Sequence, residues 1–251
     1  MLSEETIHAN WEIFAKKVTE FNRSGLAEMY GDLSARLIKA PASSTTYHHN
    51  AFPGGYVDHV LRVMQIAEKL YATWKAENAD VEGFTLDELL FVALNHDLGK
   101  MGFPGEGNEH YILNDSEWHR RNQGKVYKSN TNIPFAEVPD LSIFLLQHYG
   151  VKMSWNEFLG IKIHDGLYND ANKPYFIAKS EGSKLKNSLP VIVHHADHMA
   201  TIIEHSLWQL TGGEEPTTGS KDINHKKTRI KKMVTLSIDS GISSALNNIF
   251  E

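Results

Sequence analysis

Two imidazoles and two carboxylates, set far apart in the chain, carry the strongest chemical signal: His59, the adjacent pair His96-Asp97, and Asp197. His96 and Asp97 close the apolar run LDELLFVALNHD, where an ionisable pair is unexpected in a purely structural core. The dipeptide alone is a weak signal, since a histidine that only hydrogen-bonds its neighbour explains it equally well. Asp197 strengthens it. It lies within VIVHHADHMA, and a carboxylate among apolar residues needs a partner, for which a cation is one physical solution. His59 stands four residues after Gly54-Gly55, at the start of a long helical pattern. The chain has no cysteine, so disulfides and thiolate metal sites are excluded. Nitrogen and oxygen donors of this kind suit a divalent ion such as Mn, Fe, Ni, Co, Zn or Mg, with positions left for water and phosphate.

The series His59, His96-Asp97, Asp197 resembles the H…HD…D signature of the HD-domain phosphohydrolase superfamily. HHNAFPGGYVDHVLRVMQIA looks like the entry helix of an HD subgroup that includes 3′-to-5′ exoribonucleases. LLFVALNHDLGKMG looks like the second family motif and LPVIVHHADHMA like the closing one, so the likeness spans about residues 40–210. The resemblance implies a helical fold, a metal-activated water and cleavage of a phosphate ester or anhydride. It makes His59, His96, Asp97 and Asp197 the metal ligands, and His96, Asp97 and Lys100 the catalytic groups, with Asp97 a candidate general base. Some HD enzymes hold a second metal through two further histidines, for which His119 and His164 are the candidates here. Asp165 follows His164 where the family pattern has a second histidine, so one metal is at least as well supported as two.

Other residues have a sharp and a plain reading. Lys100 could contact phosphate, as it often does in the family, or complement a helix C-terminus. Arg120, Arg121, Lys125 and Lys128 form a basic cluster that could bind phosphate or simply face solvent. His48 and His49 could line the substrate mouth or cap a turn, and His194 or His195 could support the ligands through a hydrogen bond. His148 reads as a core or cleft residue, and His198 and His205 as surface or interface residues. Trp118, Trp155 and Trp208 read as core, although Trp118 could stack a base. The basic run from Lys226 to Lys232 is a solvated face or, more sharply, a nucleic-acid arm.

The elements that must position these groups are helices. Ile7, Trp11, Phe14, Val18 and Phe21 recur at helical steps over residues 4–22, with Ser3 as cap and Glu4 and Glu5 in the first turn. Residues 26–39 form a second helix that ends before Pro41. A loop over 41–55 leads into a helix of about twenty residues whose apolar face is Val60, Val63, Met64, Ala67, Leu70 and Tyr71. Thr85 caps the next helix, which ends near Gly99. Residues 100–135 read as a long loop with a short helix at 116–126. Helices follow at 139–149 and 154–164, then a loop over 166–188, then a helix from Pro190 to about Leu210. The fold class is therefore all-α, a helical bundle with long loops and a small β element near the C-terminus. One domain over 1–251 is expected, its core at about 40–210, with helices 4–39 and an extension 212–251 packed on it.

Composition bounds the function classes. The 251 residues are 41% hydrophobic and 22% charged, with a formal net charge of −6, so a strongly basic nucleic-acid binder is not the default. No apolar run is long enough to span a membrane, and the acidic, amphipathic N-terminus is unlike a signal peptide, which suggests a cytoplasmic protein. Three functions remain. The first is a phosphohydrolase acting on a small phosphorylated substrate, a nucleotide. The second is a 3′-to-5′ exonuclease-type phosphodiesterase acting on short RNA or single-stranded nucleic acid. The third is a non-catalytic nucleotide-binding module. An oligomer is compatible with all three.

Overall fold

Ser3 starts the first helix as the sequence suggests: its hydroxyl accepts the Thr6 amide at 3.2 Å, one of the four amides a helix start leaves unpaired. The computed structural model describes residues 2–79 and 81–213. Helix α1 (Glu4–Glu20) buries Phe14 and Val18 and half-buries Ile7, Trp11 and Phe21. The single helix expected over 26–39 is two, α2 (Leu26–Asp32) and α3 (Ser34–Leu37), divided at Leu33, whose ψ of −5° leaves the helical range.

Helix α4 (Gly55–Ala76) begins after Gly54 at φ 81° and buries Val60, Val63, Met64 and Ala67. Helix α5 (Leu86–Asn95) starts on a capping box between Thr85 and Glu88. It buries Leu89, Phe91, Val92, Ala93 and Leu94, so apolar side chains surround it and it forms a central helix. It stops earlier than Gly99. Asp97 leaves the helical region at φ −102°, ψ 9°, and a 3₁₀ turn over Leu98–Met101 follows, ended by Gly102 at φ 79°. Gly99 has a different task from ending the helix. A Cβ on it would run into the Val138 carbonyl oxygen, and its amide donates to Ser142 Oγ at 2.7 Å.

Two strands interrupt the expected loop. β1 (Tyr111–Leu113) and β2 (Tyr127–Ser129) pair antiparallel, Tyr111 opposite Ser129 and Leu113 opposite Tyr127, and α6 (Glu117–Gln123) lies between them. The strands have three residues each, too short to show alternation. Helices α7 (Val138–His148) and α8 (Trp155–Lys162) come next, the second on a capping box between Ser154 and Glu157. Within 166–188 the chain makes 3₁₀ turns at Gly166–Tyr168 and Asp170–Asn172 and a five-residue helix, α9 (Lys173–Ile177), too brief to show a helical period. Helix α10 (Leu189–Leu210) completes the series with Pro190 in its first turn.

The molecule is mostly helical. The central packing sets α4 against both α5 and α10, with α8 against α5 and α7 against the 3₁₀ turn after Asp97. Truncating a fully buried side chain here, such as Leu94, would cost about 2–5 kcal/mol. Three expected core residues are not core. Trp118 and Trp155 are 59% and 71% exposed, because each stands in the first turns of a helix too short to bury more than one face. His148 is exposed on α7, where it stacks on Phe144. Trp208 is only half-buried. Met1–Glu214 form one compact unit. The expected extension beyond Gly213, its basic run and the small β element near the C-terminus lie outside the described residues. No helix among the described residues is long and apolar enough to cross a membrane.

Candidate metal centre

The packing of α4, α5 and α10 brings together four groups that are up to 138 residues apart in the chain, numbered from His59 to Asp197. His59 projects from the first turns of α4, His96 closes α5, Asp97 stands just beyond it, and Asp197 lies in the third turn of α10. His59 Nε2 is 3.1 Å from Asp197 Oδ1 and 3.7 Å from Asp97 Oδ2. His96 Nε2 is 3.5 Å from Asp97 Oδ2 and 3.8 Å from Asp197 Oδ1. Both imidazoles are fully buried.

The ring tautomers follow from the other nitrogen. His59 Nδ1 faces the Glu204 carboxylate at 3.0 Å, and His96 Nδ1 faces the Ala93 carbonyl at 2.8 Å. Both partners only accept, so each Nδ1 must donate and each Nε2 carries the lone pair when the ring is neutral. Neither Nε2 has a hydrogen-bond partner, although both are shut off from solvent. Buried polar atoms are rarely left so, and here they face two carboxylate oxygens, which also only accept. A cation at the shared point satisfies all four, so the donor set fits a divalent metal of the kind that takes nitrogen and oxygen ligands.

The electrostatics agree. Burial pulls the His59 imidazole down, but Glu204 and Asp197 outweigh it and raise it to about 10. Burial pushes the Asp97 carboxyl up, while Lys100 and His96 hold it well below the usual carboxylate range. Asp197 is lowered too, by His59 and His96 against its own burial. Lys100 Nζ is 2.6 Å from Asp97 Oδ2, which raises the lysine despite its burial.

His164, at the end of α8, joins this group. Its Nδ1 donates to the Ile161 carbonyl, and its Nε2 lies 3.7 Å from Asp97 Oδ1. Burial lowers it, but Asp97 and Asp165 raise it to about 9. His49 lies over the His59 ring, with centroids 4.8 Å apart and both its nitrogens buried without a partner. Burial and the neighbouring His59 keep it well below the ordinary histidine value. A cleft of about 680 Å³ opens at the group, lined by Asp97, Lys100, His164 and Asp197 and also by Ile133, Phe135 and Val138.

Residues 56–128 match the family model of the HD domain, a span that contains His59, His96, Asp97 and Lys100. That stretch is similar to the HD domain. Proteins of this superfamily are mostly metal-dependent hydrolases, and the HD domain binds divalent metals. No curated protein and no solved structure matches the chain.

Other candidates fall at varying distance from the HD pair. His194 hydrogen-bonds the His164 carbonyl through Nδ1 at 3.0 Å, so it supports the backbone of a residue in the group. His48 is exposed and faces Thr45. His119 lies on α6 beside Trp118 and shares no potential ligand grouping with the HD residues among those described. Arg120 donates to the Asn114 carbonyl, Arg121 pairs with Glu117, and Lys128 pairs with Asp115. Lys125 is exposed and bridges through its backbone to Thr45. None of these four basic residues lines the cleft.

Glu204 was missed at the sequence level. It is 2% exposed and accepts from both His59 Nδ1 and Arg62 Nε, the latter at 3.1 Å. A signal existed: Glu204 follows Asp197 by seven residues, two helical turns along the same face of an apolar helix. His110, which lines the cleft next to Lys100, was also missed, since it sits in a segment without periodicity.

Proposed function

We propose that the protein is a metal-dependent phosphohydrolase that cleaves a phosphate ester or anhydride of a nucleotide. The observation that carries this reading is the pair of buried, partnerless Nε2 atoms of His59 and His96 facing the Asp97 and Asp197 carboxylates. In this reading His59, His96, Asp97 and Asp197 hold one divalent cation, with His164 as the neighbouring donor should a second be bound. The cation supplies Lewis acidity toward a phosphoryl oxygen and lowers the pKa of water.

The side chains contribute the rest. Glu204 and the Ala93 carbonyl fix the two imidazoles so that little reorganisation is needed. Lys100 presents an ammonium at the cleft that can neutralise phosphate charge. Asp97, held deprotonated by Lys100 and His96, is a weak base, which favours its role as ligand and water-orienting group over that of general base. His164 lines the same cleft and can hydrogen-bond a phosphoryl oxygen. The apolar lining residues exclude water from the organic part of the substrate.

The test is a screen of metal-reconstituted protein against nucleotides, cyclic nucleotides and short oligonucleotides, with elemental analysis of metals per chain. Phosphate release that disappears in Asp197→Ala supports the reading. A metal-loaded protein that turns over no phosphate compound overturns it and leaves a nucleotide-binding module.

A further inference from the structure

The charges and shape of the cleft narrow the substrate class, an inference that rests on the phosphohydrolase reading. Among the described residues lining the cleft, Lys100 is the single lysine or arginine, and it is already paired with Asp97. Asp165 and Glu137 add two carboxylates beyond Asp97 and Asp197. Two guanidinium groups close to this region are held by other partners: Arg36, which lines a second cleft with Lys100, donates to the carbonyls of Met101, Phe103 and Gly105, and Arg62 to Glu204.

One divalent cation is balanced by the Asp97 and Asp197 carboxylates, so Lys100 is the fixed positive charge that remains. A triphosphate carries roughly twice the charge of a phosphate monoester, and sites for it usually supply several cations in bidentate or metal-bridged geometry. The rest of the lining offers further phosphates the carboxylates of Asp165 and Glu137 and no guanidinium. The same shortage disfavours a polynucleotide, whose binding depends on repeated phosphate contacts.

The lining of the cleft also has apolar members. Ile133, Pro134 and Phe135 are among them, and Phe135 is 92% exposed, which leaves its ring open to a ligand. A planar heterocycle stacks on such a ring. The Asp165 and Glu137 carboxylates of the same lining can only accept, which suits sugar hydroxyls. The volume of about 680 Å³ lies within the range that encloses a ligand of mononucleotide size.

We propose that the cleft selects a nucleoside monophosphate, its phosphate at Asp97 and Lys100 and its base on Phe135, over nucleoside di- and triphosphates and over polynucleotides. Water adds to phosphorus, the phosphorus–oxygen ester bond breaks, and the nucleoside leaves with a proton on its oxygen. The products are the nucleoside and inorganic phosphate.

The experiment uses the full chain loaded with manganese and assayed on AMP, ADP, ATP and a short oligoadenylate. The expected kcat/KM for AMP exceeds that for ATP and for the oligoadenylate by about 100-fold or more. Phe135→Ala should raise KM for AMP about tenfold with kcat little changed, and leave KM for glycerol phosphate, which has no ring, as it was. Calorimetry with adenosine, which has no phosphate to lose, should show the same tenfold weakening in that variant. Equal or faster turnover of ATP or the oligoadenylate overturns the selection and leaves the phosphohydrolase reading intact. Unchanged adenosine binding in Phe135→Ala overturns the assignment of the base to that ring. Loss of every activity in the loaded protein overturns both.

Discussion

At the junction of α4, α5 and α10, His59 and Asp197 are answered by residues distant in the chain, with Asp97 and Lys100 the local pair; in the β1–α6–β2 segment, Arg121 and Lys128 are answered closer by. His59 reaches Glu204 and Asp197, and its imidazole and the Glu204 carboxylate are shielded from solvent. Arg121 pairs with Glu117 one turn away, with both side chains more than 60% exposed, and Lys128 on β2 pairs with Asp115, two residues past β1. The residue types are similar and the physics is not. Exposed pairs gain little because water and salt screen them, whereas a buried constellation without a full set of partners demands a ligand. Local density of charge is therefore a poor guide to a site, and convergence of distant charges onto one buried point is a better one.

The sharpest way to break this contrast is Asp97→Asn. Metal content per chain should fall well below that of the unaltered protein, and phosphate release should drop at least about 1000-fold. Retained activity would remove Asp97 from the chemistry. Glu204→Gln should weaken metal binding about 10- to 100-fold, measured by chelator competition, since it removes the anion behind His59 Nδ1. An unchanged affinity would reduce Glu204 to a packing residue.

Chelation should lower the melting temperature by several degrees, because a ligand at about 100 times its Kd contributes about 2.7 kcal/mol to the folded state. The metal-free protein should also respond to pH. His59 and His164 are raised above 6.5, to about 10 and about 9, so protonation favours the folded state. That stabilisation is complete below about pH 6.5 and is lost as pH rises through 9 to 10. Melting temperature should fall across that interval more steeply without metal than with it, where the cation replaces the proton. The smallest effect belongs to the other region. Arg121→Ala should move the melting temperature by less than about 1 °C and activity less than about twofold, and a larger loss would mean that the exposed cluster acts on substrate after all.

Legibility in the sequence followed the same divide. Long amphipathic helices such as α4 and α10 announce themselves by period, and the motifs at residues 59, 96–97 and 197 carry enough apolar context to mark their place. Glu204 does not, because a glutamate in a helix is ordinary until the partner helix that buries it is known. Strands of three residues and a five-residue helix hold too few positions to express a period. Trp118 and Trp155 looked like core by type, but the short helices carrying them leave one flank in water. Phe135, which the proposed substrate preference depends on, gave no signal at all, since nothing in TNIPFAE shows that its ring stays uncovered.

The missing side chain at Gly99 has a consequence for how well defined the cleft can be. There the main chain after the HD pair lies directly on the main chain of α7, carbonyl oxygen against Cα, with Ser142 Oγ bridging the two by accepting from the Gly99 amide and donating to the His96 carbonyl at 3.0 Å. Distances set by peptide units do not vary with rotamer choice, as distances set by leucines do. The gap between Asp97 and Val138 is thus gauged by backbone thickness, and even one methyl group at position 99 would have to pry the two surfaces apart.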